Sequence, residues 1–303
     1  MKLLIIINTS AGHGDGSIYD FMRLAMLDGD EATVRYTDGS TDAADLVDDA
    51  PLFDRVVISG GDGTIASIAY KLAHTGVPLL AFPAGTANLL ASNLRIPYEP
   101  RSLAQLVREG RTCDFDLGEI DSGGMRFGFA IMAGAGYDAT IMRDAVPSKK
   151  RLGAAAYFQA AFANTKPQKS TIRLVIDGNP IQTEGLGAIL VNFSRIQFDI
   201  ALTHETSPCD GMFDIAILKA GNAFGLIPAF IAATLDRDGG MPSRPNSLEV
   251  HRGSVVEMVA DPPLPMQYDG EPLEASTPFT ARALKGAARL IVPDDVFDEF
   301  ARN

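Results

Sequence analysis

The sequence has 303 residues, of which 46% are hydrophobic and 21% charged, and its 38 acidic and 26 basic side chains give a formal net charge of −12. A chain of this length can bury a substantial core as two domains of about 150 residues or as one large domain. Its apolar fraction excludes intrinsic disorder. Its acidic balance excludes nucleic acid as a default partner, because an acidic surface repels phosphate backbones.

Cysteine content and hydropathy predict the cellular compartment. Cys113 and Cys209 are too few for a disulfide framework or a cysteine-based zinc site, so we expect reduced thiols in a cytosolic protein. The apolar run at residues 3–7 is too short for a signal-peptide core. The low-polarity stretch at residues 223–235 falls short of the roughly 20 residues that span a bilayer. We therefore expect a cytoplasmic protein that is soluble or peripheral to the membrane.

The first third of the chain alternates β-branched runs with amphipathic stretches, which predicts βαβ units on a parallel sheet. Ser17 and Thr41 are predicted to cap the first two helices. The functional loops of such sheets lie at the carboxyl ends of the strands. Strands are predicted at residues 3–7, 32–36, 55–59 and 78–82, and the loops of interest at residues 8–16, 60–64 and 83–88.

The pattern changes near residue 114 to one typical of a mainly antiparallel region. We predict a boundary near residues 115–120, with an α/β domain at 1–117, a β-rich domain at 118–287, and residues 288–303 packing back on the first domain. Strands are predicted at residues 126–132, 171–177, 187–193, 213–219 and 254–260, a turn at 177–180, helices at 151–163 and 222–235, and a mobile loop at 238–246.

Residues 60–64 read Gly-Gly-Asp-Gly-Thr between a predicted strand and a predicted helix. Glycines permit positive φ and close approach to a ligand, so main-chain amides there can face phosphate oxygens. Asp62 would then serve as a base or metal partner, although it could equally cap a helix that begins at Thr64. Residues 83–88 and 8–16 are likewise loops with glycines and small polar residues at the end of a predicted strand. The spacings of a Rossmann dinucleotide site and of a P-loop do not occur.

Several motifs resemble, in family order and over nearly the whole chain, the diacylglycerol kinase and sphingosine kinase superfamily with its soluble bacterial lipid kinases. Besides residues 60–64, they are Pro-x-Gly-Thr-x-Asn-x-x-Ala at 83–91, Leu-Arg-Ile-Pro at 94–97, Gly-Ala-Gly-Tyr-Asp-Ala at 134–139, Lys-Arg-Leu-Gly at 150–153, Cys-Asp-Gly-Met-Phe-Asp at 209–214, and Asp-Gly-Glu-Pro at 269–272.

The resemblance implies a NAD kinase-like α/β domain, a β-sandwich lipid domain, and an active site in the cleft between them. It also implies ATP as phosphoryl donor, Mg²⁺ as cofactor, and the primary hydroxyl of a lipid, diacylglycerol first, as acceptor. By motif match, Asp62 is the expected general base, Glu271 reaches toward the phosphates or the metal, and Asp210 binds a divalent ion.

Further matched positions are expected to contact the nucleotide. They are Asn8, Ser10, Gly12, Gly60, Gly61, Gly63, Thr64, Gly85, Thr86, Asn88, Lys150 and Arg151. The last two belong to a basic region, residues 143–173, whose other members are expected to help the protein dock transiently on anionic lipid at the inner membrane face. The bacterial relatives also make a homodimer possible.

Other functions stay open at this stage. A sphingoid base or ceramide is an alternative acceptor, because each presents a hydroxyl beside an apolar chain. NAD kinase has a related Gly-Gly-Asp-Gly-Thr loop, which makes a nucleotide kinase the second alternative. The third is a non-catalytic nucleotide-binding or lipid-binding regulator, since Ala66-Ser67 and Leu89 stand where many relatives carry an Asn-Glu pair and an aspartate.

Overall fold

The computed structural model describes residues 1–11, 16–136, 168–193, 195–196, 200–201, 207–219 and 248–300. The helices predicted at 151–163 and 222–235 and the loop predicted at 238–246 lie outside these ranges. The chain divides into two compact units, one built from Met1–Leu117 and Leu284–Asn303 and the other from Gly118–Ala283. Both crossings between the units fall inside continuous strands.

The strands in chain order are β1 (Lys2–Asn8), β2 (Glu31–Thr37), β3 (Arg55–Gly60), β4 (Leu79–Pro83), β5 (Arg111–Ser122), β6 (Met125–Phe129), β7 (Met132–Gly136), β8 (Ser170–Ile176), β9 (Asn179–Gly185), β10 (Gly187–Val191), β11 (Arg195–Ile196), β12 (Ile200–Ala201), β13 (Phe213–Leu218), β14 (Leu248–Gly253), β15 (Val255–Asp261), β16 (Pro265–Tyr268), β17 (Glu271–Ser276) and β18 (Phe279–Val292). The described helices are α1 (Ser17–Ala25), α2 (Ala43–Val47), α3 (Asp62–Lys71), α4 (Leu89–Asn93), α5 (Pro100–Glu109) and α6 (Asp294–Phe300). No helix in the described ranges is both long enough and apolar enough to cross a bilayer.

The first unit is built on a parallel sheet in the order β2-β1-β3-β4-β18. Residues 3–7 and 56–58 are buried without interruption, as expected for strands covered on both faces. Helices α1 and α5 pack together, and the ring of Phe21 meets that of Phe82 edge to face with centroids 5.4 Å apart. Gly60 pairs with Pro83, so the carboxyl ends of β3 and β4 lie side by side.

The helix starts differ from the prediction. Helix α1 begins at Ser17 with Gly16 as its N-cap residue, which has φ 77° and makes no side-chain cap. The prediction that Ser17 caps this helix is therefore wrong. Helix α2 begins at Ala43, two residues after Thr41. Helix α3 begins at Asp62 rather than Thr64, and its N-cap residue is again a glycine, Gly61.

The second unit is a β-sandwich. One sheet contains β18, β15, β8 and β9 with β5 and β6 at its side, and the other runs β14-β13-β10-β7-β16-β17 with antiparallel neighbours. Both sheets contribute to one apolar core, which includes Phe129, Leu174, Leu190 and Met258. The predicted fold class, an α/β domain followed by a β-rich sandwich, is confirmed.

One predicted strand of the second unit is split in two. Residues 126–132 were predicted to be continuous, but β6 ends at Phe129 and β7 begins at Met132. The carboxylate of Asp269 accepts the main-chain N–H groups of residues 130, 131 and 132 at 2.7, 2.8 and 3.0 Å. Those amides therefore bond to a side chain instead of continuing the ladder of β6.

Candidate functional site

The loop after β1 is tied to the loop after β3 by one side chain. Asn8 lies at the end of β1, and its Nδ2 donates to Oγ1 of Thr64 at 2.8 Å. Its Oδ1 accepts the main-chain N–H of Ser10 at 2.9 Å, which closes the start of the first loop. Asn8 and Thr64 thus position two of the predicted nucleotide loops with respect to each other.

The loops after β3 and β4 touch through glycines. A Cβ atom added to Gly85 would lie 2.6 Å from Cα of Gly61, and one added to Gly60 would lie 2.9 Å from Cβ of Thr64. None of these three glycines has a positive φ, so they do not use the first of the two properties expected of glycine here, positive φ and close approach. Gly85 is needed because its main chain lies too close to that of Gly61 for a side chain, and Gly60 because a side chain there would meet that of Thr64.

The loop after β4 is closed by Asn88. Its Oδ1 accepts the N–H of Gly85 at 2.7 Å, and its Nδ2 donates to the Gly85 carbonyl at 3.1 Å. Asn88 is buried and takes a left-handed conformation with φ 50°, which asparagine tolerates better than most residues. The loop is therefore fixed in shape, with Thr86 exposed at its tip.

Asp62 connects the starts of two helices. It is the first residue of α3, where the N-terminal dipole of the helix favours a carboxylate. Its Oδ1 accepts the main-chain N–H of Leu90, in the first turn of α4, at 3.0 Å. Gly63 and Thr64 follow it in the first turn of α3. Asp62 is thus held beside the loops after β3 and β4. The alternative interpretation, in which Asp62 caps a helix that begins at Thr64, is wrong because α3 begins at Asp62 itself.

Some of the expected nucleotide contacts fall outside the described residues. These are Gly12, Lys150 and Arg151, together with most of the basic region at residues 143–173. Of that region, Lys169 and Arg173 are described, and both are exposed. The first unit therefore brings together the expected nucleotide-binding residues at the ends of β1, β3 and β4. The roles expected of Lys150 and Arg151 stay predictions.

In the second unit, Glu271 follows a tight turn between β16 and β17. The two central residues, Asp269 and Gly270, have φ 45° and 82°, as in a type I′ hairpin. Because Asp269 also binds the three amides at residues 130–132, the turn that carries the exposed Glu271 is anchored to β7. Burial raises the pKa of Tyr268, and the charges of Asp269 and Glu271 raise it further.

Asp210, the expected ligand of a divalent ion, is paired with an arginine. Its Oδ1 accepts the N–H of Met212 at 2.9 Å, and its Oδ2 forms an ion pair with the Arg252 guanidinium. Within the described ranges, no group of three or more His, Cys, Asp or Glu side chains could hold a metal ion. The described surroundings of Asp210 therefore fit a structural ion pair and do not fit a metal site.

Two residues, Asp269 and Arg252, have roles that the motifs do not predict. Asp269 stands in the quoted Asp-Gly-Glu-Pro motif, and an Asp-Gly pair flanked by strands is a strong signal for a hairpin. Its bonds to residues 130–132 join positions 137 to 139 apart in the chain, so no local pattern predicts them. Arg252 lies in none of the quoted motifs.

Comparisons with known proteins agree with this architecture of an α/β unit with small-residue loops and a β-sandwich unit. Residues 2–120 match the family model of the diacylglycerol kinase catalytic domain. Residues 131–292 match that of the YegS C-terminal NAD kinase beta sandwich-like domain. A crystal structure of a diacylglycerol kinase from Bacillus anthracis aligns with a TM-score of 0.77 over 97% of this chain and 98% of that one, and at 20% identity this likeness concerns the fold.

Curated relatives point the same way. A Pseudomonas fluorescens protein named "Probable lipid kinase YegS-like" is 31% identical over 97% of this chain and 96% of its own length. A Mycobacterium tuberculosis diacylglycerol kinase is 29% identical over 58% of this chain and 59% of its own length. The chain spans only 54% of another match, an uncharacterized Synechocystis protein that is 26% identical. The chain belongs to the family of YegS-like lipid kinases, and its first unit matches the diacylglycerol kinase catalytic domain.

Proposed function

We propose that the protein is an ATP- and Mg²⁺-dependent lipid kinase that phosphorylates a primary hydroxyl, with diacylglycerol as the first candidate acceptor. The observation that carries the proposal is the placement of the Asp62 carboxylate at the start of α3, bound to the first turn of α4, beside loops joined through glycines. The family models and the relatives named as lipid kinases support the same reaction.

The nucleotide would bind with its phosphates against the ends of β1, β3 and β4. Gly61, Gly63 and Gly85 are partly exposed there, and helix α3 begins at the end of β3, where its N-terminus suits an anion. Asn8 and Asn88 would act by fixing the loops, since their side chains bond within the protein. Mg²⁺ bound with the nucleotide would offset charge on the phosphoryl group during transfer.

Asp62 would orient the acceptor hydroxyl and take its proton. Phosphoryl transfer demands chiefly positioning and charge stabilisation, so a carboxylate held in one place is suited to the task. The bond from the Leu90 N–H restrains the position of Oδ1 of Asp62. Glu271 would have a supporting role on the phosphate side, because it is exposed on a turn that Asp269 anchors.

The proposal is tested with labelled ATP and a panel of acceptors in mixed micelles: diacylglycerol, monoacylglycerol, ceramide and a sphingoid base, with NAD in solution. Asp62→Asn keeps an oxygen that can accept the Leu90 N–H but removes the base. We expect labelled lipid from the wild type and a rate roughly 10²- to 10⁴-fold lower in this variant, with nucleotide affinity nearly unchanged. Asp45→Asn, which removes an exposed carboxylate from the first turn of α2, is the matched control and should retain activity.

Three results would count against the proposal. Labelled NAD without labelled lipid would indicate a nucleotide kinase. Tight ATP binding without turnover on any acceptor would indicate a regulator on a kinase scaffold. Full activity of Asp62→Asn would place the base elsewhere, even if lipid is the substrate.

The lipid acceptor also determines where the protein would work. We propose transient, peripheral contact with the cytoplasmic face of the membrane, with the basic region at residues 143–173 providing local attraction. A net charge of −12 gives the whole molecule little attraction to anionic lipid, so contact would depend on this region.

A further inference from the structure

Two carboxylates of the second unit share one guanidinium group. Asp214 on β13 lies directly opposite Arg252 on β14, and Nε of Arg252 is 3.0 Å from Oδ1 of Asp214. Nη2 of the same arginine forms an ion pair with Oδ2 of Asp210, which lies just before β13. The arginine therefore joins the turn at residues 210–212 to the sheet.

This arrangement supplies the positive charge that the carboxylates need. The Asp214 side chain is only 2% exposed and that of Asp210 23% exposed, and a carboxylate that is largely removed from water requires a partner of opposite charge. A guanidinium is suited to this position because it is always charged and its nitrogens spread the charge over one plane: Nη2 donates to Asp210, while Nε lies within ion-pair distance of Asp214.

A divalent ion at Asp210 would compete with this arginine. Mg²⁺ and Ca²⁺ bind carboxylate oxygens at roughly 2.0–2.6 Å, and Oδ2 of Asp210 is already paired with Arg252 while Oδ1 accepts the N–H of Met212. An ion placed there would also face the fixed positive charge of the guanidinium.

We infer that Arg252 is the built-in cation of the Asp210–Asp214 pair, and that the second unit needs no divalent ion at Asp210 to hold its fold. This inference goes beyond the proposed kinase activity and does not rest on it. It concerns folding and metal binding, so both can be measured in the full chain without nucleotide, lipid or turnover.

The test compares thermal unfolding in EDTA with unfolding in millimolar MgCl₂ or CaCl₂. We expect the same unfolding temperature for the wild type in all three. Arg252→Met should unfold about 2–8 °C lower in EDTA and recover part of the loss when either cation is added, because the two carboxylates then lack a counter-charge. The double variant Arg252→Met/Asp210→Asn should lose that recovery. Arg282→Met removes a half-exposed arginine 3.9 Å from Glu119 in the same unit, and should show no cation dependence.

A second measurement does not depend on whether Arg252→Met folds. The number of Mn²⁺ ions bound per chain, counted by electron paramagnetic resonance without nucleotide, should be equal for the wild type and Asp210→Asn. A bound ion in the wild type that is absent from Asp210→Asn would overturn the inference. A wild-type unfolding temperature that falls in EDTA and returns with Mg²⁺, but does not respond in Asp210→Asn, would overturn it as well.

Discussion

The close approach of the loops after β3 and β4 predicts that a single methyl group at Gly85 disrupts the site. Its Cβ would stand 2.6 Å from Cα of Gly61 and 2.9 Å from Oδ1 of Asn88. Ordinary contacts between carbon atoms are about 3.5–4.0 Å, so the two main chains would have to separate by about 1 Å. Gly85→Ala should then weaken the two bonds between residue 85 and Asn88 as well.

The loss of stability expected for Gly85→Ala follows from overpacking and from weakened hydrogen bonds. Forcing one methyl group into a packed position costs about 1–3 kcal/mol, and each weakened bond adds about 1 kcal/mol or less. For a unit of this size the unfolding temperature should fall by roughly 3–10 °C. A displacement of about 1 Å in a positioning loop should also lower kcat/KM for ATP about 10²-fold.

Gly61→Ala provides the matched control for stability. A Cβ at Gly61 would meet only Cα of Gly85, at 3.9 Å, which is an ordinary contact, and φ of −82° is compatible with alanine. Calorimetry should therefore separate the two variants, with Gly61→Ala close to the wild type. Equal unfolding temperatures for Gly85→Ala and the wild type would refute the reasoning, and so would equal destabilisation of both variants.

Further predictions concern stability and membrane binding. Asp269→Asn should lower the free energy of unfolding in urea by about 2–4 kcal/mol, because the amide nitrogen that replaces one carboxylate oxygen cannot accept the main-chain N–H bonds made to that oxygen, and the remaining bonds lose the carboxylate charge; an unchanged midpoint would contradict this. The Arg35 guanidinium holds the pKa of Asp49 below its ordinary value, so this pair stabilises the fold above pH about 4 and ceases to do so as the pH falls through the lowered pKa. Asp49→Asn should accordingly have a lower unfolding temperature than the wild type at pH 7, and the difference between the two temperatures should shrink in acid. A difference that stays constant with pH would exclude this linkage. The double charge reversal Lys166→Glu/Lys169→Glu should weaken sedimentation with anionic vesicles at low salt, and unchanged sedimentation would remove the basic region as a membrane contact.

The parallel sheet of the first unit could be predicted because its signals are local. Residues 3–7 and 55–59 are apolar runs followed by small residues, and both predictions fall within strands of the structure. The meeting of the loops was foreseeable too, since carboxyl ends of neighbouring parallel strands lie at one edge. The bond from Asn8 to Thr64 was not, because it joins side chains 56 residues apart.

One error had a physical cause that lies outside the local sequence. The continuous strand predicted at residues 126–132 is interrupted because Asp269, far along the chain, captures the amides that would have extended it. The metal role expected of Asp210 rests on a motif and stays a prediction, and that motif does not include its partner Arg252, which lies 42 residues away. Local patterns predicted the strands, while the charge partners depend on the tertiary fold.

The division of the first unit between two stretches of chain affects how the protein can be made. Its sheet ends on β18, where Leu290 pairs with Leu79 of β4, and Phe300 of α6 packs on Phe115 with ring centroids 5.5 Å apart. During synthesis, β4 therefore has an uncovered edge until β18, more than 200 residues later in the sequence, can pair with it. A fragment cut near residue 120, where the catalytic family model stops, would keep that edge exposed and be prone to aggregate. The first unit thus depends on residues 284–303, which follow the whole second unit in the sequence.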